Sequence, residues 1–310
     1  MKKISIVSPC YNEEKNLQAV YSEVKAQFEL NLKEYDYEHI FIDNCSTDSS
    51  PIILRELAAN DKRVKVIFNS RNFGHIRSPV YGLYQATGDA VLLLVSDLQD
   101  PPTLIPEFVK RWEAGSEIVV GVKKESEESA VMFAIRGLYY NIINKISETK
   151  LVKNYTGFGL YDKKIIAILK SFDDPYPYLR GLIFKIGFKV DQIEYVQPKR
   201  KRGVTSNNFY TLYDMAMLGI CTHSKVPLRV FTISGFTLAT LSLLTSIIYL
   251  ILKLIMWNSF QLGMAPLIIG VFFFASVQLF SIGIIGEYIG VLLTKIVKEP
   301  LAIERERINF

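Results

Sequence analysis

Cysteine is scarce in this chain and poorly placed for any structural role. Cys10, Cys45 and Cys221 are far apart, odd in number and without a Cys-x-x-Cys spacing, which argues against both a zinc site and a disulfide framework. Such sparing use fits a reducing, cytoplasmic compartment. Excess charge is lacking too. The formal net charge is only +5, too little for a nucleic-acid footprint unless gathered into one patch, so nucleic acid is not an expected partner. A secretory leader is also missing from the pattern, since Met1 to Lys3 runs straight into a short apolar strand that Pro9 and Asn12 break. The polar part is therefore expected to stay on the side of the membrane where it is made. No internal repeat or low-complexity segment stands out.

What is present divides into two unlike parts. A mean hydropathy of +0.19 with 49% hydrophobic and 22% charged residues averages a soluble first two-thirds with an apolar last third. Phe231 to Leu252 carries no charge and meets the roughly 20-residue length needed to cross a hydrocarbon core. A second span is placed from about Leu267 to Ile285. Lys225 and Arg229 precede the first span and Lys295, Lys298, Arg305 and Arg307 follow the second, while the loop from Trp257 has neither Lys nor Arg. Lys253, at the outer end of the first span, runs against this bias but can snorkel to the interface. The positive-inside rule then puts both ends in the cytoplasm and the chain in the inner (plasma) membrane. Gly283, Gly286 and Gly290 offer small surfaces for close helix contact, compatible with a homo-oligomer.

The first two-thirds alternates strand and helix patterns. Lys3 to Ser8, His39 to Ile42, Val64 to Phe68 and Ala90 to Val95 read as strands, with helices over Asn16 to Leu30, over Ser50 to Asn60 and up to Thr87. This βαβ rhythm predicts an α/β fold with a mostly parallel sheet. Another strand is expected at Glu117 to Val120, then the charged Lys123 to Glu128, a helix from about Val131 to Ile146, and a small α/β portion from Leu151 to Phe188. The mixed aromatic and apolar stretch between Asn208 and Pro227 suits a helix lying in the membrane interface.

Ligands of open α/β sheets bind beyond the carboxyl ends of the strands, so Pro9 to Glu14, Asp43 to Asp48 and Asp97 to Asp100 should meet in one crevice. A nucleotide sugar there needs a surface for its base, hydrogen bonds to its ribose and compensation of its diphosphate charge. Pro9, Tyr11 and Glu13 are candidates for the base, and Asp43 for base or ribose. Asp97 and Gln99, spaced i, i+2 at a strand end, point the same way in an extended backbone and suit shared coordination of Mg²⁺ or Mn²⁺. Asp100 is a further candidate ligand, or a cap for the helix that Pro101 and Pro102 begin.

The ordered segments PCYNEEKNL, DNCSTDSS, SRNFGH, TGDAVLLLVSDLQDPP, YLRGLIFKIGF and GIIGEYIG resemble the motifs of family 2 glycosyltransferases of the polyisoprenyl-phosphate class, the bactoprenol glucosyltransferases and dolichol-phosphate mannosyltransferases. The resemblance spans nearly the whole chain. It implies a GT-A fold, a nucleotide-diphospho-sugar donor such as a UDP-sugar, an undecaprenyl-phosphate type acceptor, and inversion by single displacement. By matching positions, Pro9, Tyr11, Glu13 and Asp43 would contact the nucleoside, Arg71, Asn72 and Ser96 would shape the donor pocket, and Asp97 with Gln99 would hold the metal. The family usually reads Asp-x-Asp where this chain has Val95-Ser96-Asp97, and relatives often carry an acidic residue within the segment matching Asn154 to Leu160, where this chain has none.

An anionic phosphate acceptor at the membrane surface calls for Arg or Lys, Arg being favoured for its bidentate geometry. Lys123, Lys124, Arg136 and Arg180 are candidates for it. In the basic run Lys199 to Arg202, Arg200 and Arg202 are catalytic candidates, on a loop that Gly203 and Thr205 would let fold over the donor. The expected division is a catalytic domain over 1–205, an interfacial segment over 206–229, a two-helix anchor over 230–294 and a cytoplasmic tail over 295–310. A hydroxyl acceptor, or a catalytically weakened membrane scaffold, are the competing readings.

Overall fold

Apolar runs rich in β-branched residues become the strands of one eight-stranded sheet. The computed structural model describes residues 1–125, 145–146, 152–198, 209–256 and 264–310. In chain order the strands are β1 (Lys3–Cys10), β2 (Asp36–Asp43), β3 (Val64–Asn69), β4 (Ala90–Leu93), β5 (Ile118–Glu125), β6 (Tyr155–Asp162), β7 (Val190–Val196) and β8 (Glu304–Ile308), arranged as β7-β5-β6-β4-β1-β2-β3-β8. β4, β1, β2 and β3 are mutually parallel, as the βαβ rhythm predicts. β6 runs antiparallel to both β4 and β5, so the sheet is mixed and mostly parallel.

Helices α1 (Leu17–Asn31), α2 (Ser50–Asn60), α3 (Gly74–Gln85) and α4 (Ile105–Glu113) cover the sheet with α5 (Lys163–Ser171) and α6 (Leu179–Lys185). α1 buries Leu17, Val20, Val24 and Phe28, one stripe at helical spacing, each side chain contributing about 1.5–3 kcal/mol. The alternation along β1 sends Ile4 and Ile6 to a core shared with α1, α2 and α4, and Val7 to a core shared with α3, α5 and α6. The chain leaves β1 toward β2 and β3, then crosses back to β4 on the other side of β1. That reversal is a topological switch point, and it opens the crevice beyond the carboxyl ends of β1 and β4.

Three further helices follow: α7 (Phe209–His223), α8 (Val226–Ile255) and α9 (Met264–Ile296). α7 coincides with the expected interfacial segment. Within α8 and α9, Val226–Leu252 and Ile269–Ile296 are long and apolar enough to cross a membrane, and neither is buried against protein. The second helix continues well past the expected end at Ile285, carrying Glu287 and Lys295 within its length. The Glu287 carboxylate accepts a hydrogen bond from Tyr213 of α7 at 2.8 Å, and the Tyr288 hydroxyl donates to the Ser224 carbonyl at 2.7 Å.

The final residues differ from the expectation of a tail following the anchor. β8 returns to the sheet and pairs antiparallel with β3, with Val66 opposite Ile308 and Phe68 opposite Glu306. Arg305 and Arg307 are exposed, whereas Glu304 and Glu306 are half-buried, Glu306 pairing with Arg55 across the edge and Glu304 accepting from Tyr81. β7 is likewise a strand that the sequence reading does not separate from its surroundings. Most of the helix expected over 131–146 and the basic run 199–202 lie outside the described residues.

Candidate active site

The loop after β1 turns sharply at Asn12, whose φ of 55° lies in the left-handed region, a conformation Asn adopts more readily than most residues. It is tied to the loop after β2. The Asn12 amide donates to Ser46 Oγ at 2.9 Å, and Asn12 Oδ1 accepts from the Thr47 amide at 2.8 Å. Asp43, at the end of β2, lies buried beneath these loops and accepts the Ser46 amide at 3.2 Å. Burial raises its carboxyl pKa, and the hydrogen bonds from Ser46 offset part of that rise.

Asn44 is the joint between this loop and the next. Its Nδ2 donates to Asn72 Oδ1 at 2.8 Å and to the Gly74 carbonyl at 3.2 Å. Its Oδ1 accepts from Asn69 Nδ2 at 3.1 Å and from the Phe73 amide at 2.9 Å. These bonds fix residues 69–74, so the first turn of α3 presents His75 and Ile76 to the crevice. Arg71 points elsewhere and packs its guanidinium over the Phe73 ring at 4.3 Å.

The segment after β4 carries Ser96, Asp97 and Gln99. Ser96 Oγ donates to the Pro9 carbonyl at 3.0 Å, locking this segment to the end of β1. Leu98 has φ 58°, and the Gln99 amide donates to Asp97 Oδ1 at 3.1 Å, so a tight turn brings both side chains to the crevice. Asp100 points inward instead. It is fully buried, accepts from the Tyr195 hydroxyl at 2.5 Å, and has its pKa pushed up to about 6, chiefly by burial, which the Lys123 charge partly opposes.

Together these segments enclose a cavity of 570 Å³, within the range of small-molecule sites. Pro9, Tyr11, Glu13, Asn72, Ser96, Asp97, Gln99 and Arg180 all line it. Asp43 supports it from behind. Lys123 and Lys124 lie on β5 rather than in a loop after it, because that strand continues to Glu125; neither lines the cavity, and Lys124 faces Glu194 of β7 at 3.8 Å. Arg136, Arg200 and Arg202 lie outside the described residues. The cavity also takes in Asn44, His75, Thr156 and Tyr178, which the sequence reading did not assign. Of these, His75 stands in the quoted SRNFGH segment and Asn44 directly follows Asp43. Desolvation, then the charge of Arg180, lowers the His75 pKa, which brings a neutral imidazole and a cation to the same wall.

Among the described residues, no three His, Cys, Asp or Glu side chains form a cluster suited to a metal ion. The donor set is one carboxylate, Asp97, with the amide oxygen of Gln99 beside it on the cavity wall. That is enough for a cation such as Mg²⁺, which keeps several waters and is usually held by one or two carboxylates plus substrate phosphates. The residues therefore fit a metal that arrives with a diphosphate and is completed by it.

The profile described as Glycosyl transferase family 2 matches residues 5–168. This chain belongs to that family. As a family 2 glycosyltransferase it is 32% identical over 299 residues to the SfII prophage-derived bactoprenol glucosyl transferase of Shigella flexneri, covering 96% of each chain. It is 33% identical to the bactoprenol glucosyl transferase of Shigella phage SfV, covering 93% of each. Its sheet matches GT-A structures, among them glucosyl-3-phosphoglycerate synthase from Mycobacterium tuberculosis in complex with Mn²⁺, uridine diphosphate and phosphoglyceric acid. That match has a TM-score of 0.50 at 18% identity and covers 71% of this chain and 77% of that one. At that identity the likeness establishes the fold.

Proposed function

We propose that this glycosyltransferase moves a hexose from a UDP-sugar to a polyisoprenyl phosphate, undecaprenyl phosphate in kind, at the cytoplasmic leaflet of the inner membrane. The observation that carries the reading is one cavity lined by Asp97, Gln99 and Arg180, in a chain that also carries two long apolar helices. The names of the full-length relatives support the acceptor.

The nucleoside lies against Pro9, Tyr11 and Glu13, with Asp43 supporting that loop, and Asn72 and Ser96 shape the sugar end. Asp97 and Gln99 hold Mg²⁺ or Mn²⁺, which supplies charge compensation for the departing diphosphate. Arg180 orients the acceptor phosphate by charge-assisted hydrogen bonds. An ionised phosphate oxygen attacks the anomeric carbon as the bond to the diphosphate oxygen breaks, UDP leaves with the electron pair, and the configuration inverts. No proton need be removed from such a nucleophile, so the reading requires no general base in the cavity. Arg200 and Arg202, on this reading, offset the negative charge of the bound phosphates.

Isothermal titration of the purified protein with UDP- and GDP-sugars, with Mg²⁺ or Mn²⁺ and with EDTA, tests the donor half. UDP-sugars bind in a cation-dependent manner on this account. A protein that binds no nucleotide sugar under any of these conditions is a scaffold, and the proposal fails.

A further inference from the structure

The two halves of the cavity rest on different supports. Pro9, Ser96 and Asp97 stand on the ends of β1 and β4, in the middle of the sheet. Further lining residues come from the first turn of α3, with His75, and from the start of α6, with Tyr178 and Arg180. Both of those pieces are held by ion pairs from the last turn of α9, at Lys295, and from the segment just past it, at Glu299.

Lys295, in the last turn of α9, places its ammonium 2.5 Å from Asp174 Oδ2, with the two side chains 29% and 13% exposed. The other oxygen of Asp174 accepts the Tyr176 amide at 3.0 Å, shaping the turn that leads to Tyr178. Four residues after Lys295, Glu299 accepts from Arg77 Nη1 at 2.5 Å. Arg77 follows His75 by two residues, is 12% exposed, and lays its guanidinium over the Tyr176 ring at 5.2 Å. The two ion pairs therefore meet at Tyr176, one from each piece of the wall. The neighbouring pair of Lys298 and Asp173 is more than three-quarters exposed, and such a pair contributes little. α9 is itself fixed against α7 through Glu287 and Tyr288.

We propose that Lys295 and Glu299 are positioning residues, through which the second membrane helix sets the acceptor-side wall of the cavity relative to the bilayer. The inference rests on the reading of a lipid-phosphate acceptor. Such an acceptor reaches the enzyme at a depth fixed by its membrane anchor, so the wall that receives its phosphate must be registered to the same membrane. The donor arrives from solution and needs no such registration, and its half of the site is built on the sheet. Small displacements of a reacting group carry large kinetic costs, on the order of 10²-fold for 1 Å.

The test uses the full-length protein in detergent with undecaprenyl phosphate. Lys295→Gln, Asp174→Asn and Glu299→Gln each raise KM for the lipid by about tenfold or more, while UDP affinity by titration stays at the wild-type value. Reversing the first pair, Lys295→Asp with Asp174→Lys, restores much of the lipid KM. Glu299→Gln, at a half-exposed position, keeps the test open if an Asp174 variant fails to fold. An unchanged lipid KM in the single variants overturns the proposal, as does an equal loss of UDP affinity, which marks general loosening. A reversed pair that binds UDP normally yet stays as impaired as its parents also overturns it. Absence of lipid product from the unmodified protein overturns the acceptor reading itself, and this inference with it.

Discussion

Asp97 lines the cavity, as does the carboxylate of Glu13, and Val95, not a second acid, stands two residues before Asp97. Asp97→Ala is expected to abolish turnover in a protein that remains folded and membrane-bound, and Gln99→Ala to cost less, since a neutral oxygen binds a hard cation more weakly than a carboxylate. Transfer rates of the two variants, and of wild type in EDTA, check this; full activity in Asp97→Ala or in EDTA removes the metal assignment. Asp100 makes a different prediction. Its folded pKa of about 6 lies above the ordinary 3.8, so the native state holds this proton more tightly than the unfolded chain. The resulting stabilisation is complete below the unfolded pKa and is lost as pH rises through the folded one, by up to about 3 kcal/mol. Asp100→Asn keeps an acceptor for Tyr195 and removes the titration, so its stability relative to wild type should improve between pH 4 and pH 7 in thermal melts. A difference that does not vary with pH contradicts this. Asp97 and Gln99 were singled out from the spacing of an extended strand end, but they reach the cavity through the turn at Leu98 beyond β4, which that spacing does not encode. Asn44 and His75 were not, because their places depend on hydrogen bonds that Asn44 accepts from Asn69 and Phe73 and donates to Asn72, which no local pattern encodes.

At the scale of elements, apolar periodicity located the parallel strands and the helices between them, because each buries a stripe or a face in the core. β7 and β8 escaped for the same physical reason. VDQIEYV is short and half polar and buries only one face, and ERERI is charged at every position but Ile308, so both read as solvated chain. β8 nevertheless covers the outer edge of β3, with Ile308 packed on the core beside Val66 and Arg55 lying over Phe68 at 4.4 Å. A bare edge of this kind is a template for pairing with other chains. Ile308→Ala should therefore destabilise by about 1–2 kcal/mol for a half-buried side chain, and removal of residues 301–310 by more, with aggregation. Melting curves in detergent and size-exclusion profiles report both effects, and unchanged profiles in the truncated protein would mean that β8 is dispensable.

For the whole molecule, the two apolar helices were plain in the sequence, whereas their attachment to the catalytic domain was not, since it runs through pairs more than a hundred residues apart such as Lys295 with Asp174 and Arg77 with Glu299. The pairing of β8 with β3 bears on topology. The chain enters α8 from the catalytic domain and returns to the same sheet after α9, which supports the proposed orientation with both ends on one side of the membrane. Asn258→Cys, with the native cysteines replaced, is expected to react with an impermeant thiol reagent in intact cells. Protection until lysis would contradict the proposed orientation. The central claim, hexose transfer to a lipid phosphate, is tested most directly by incubating the purified protein with a panel of labelled nucleotide sugars, undecaprenyl phosphate and Mg²⁺. The account predicts label from one UDP-hexose in an acid-labile product that migrates with the lipid. Label appearing only when the phosphate lipid is replaced by a hydroxyl acceptor such as diacylglycerol, or with neither acceptor, would contradict it.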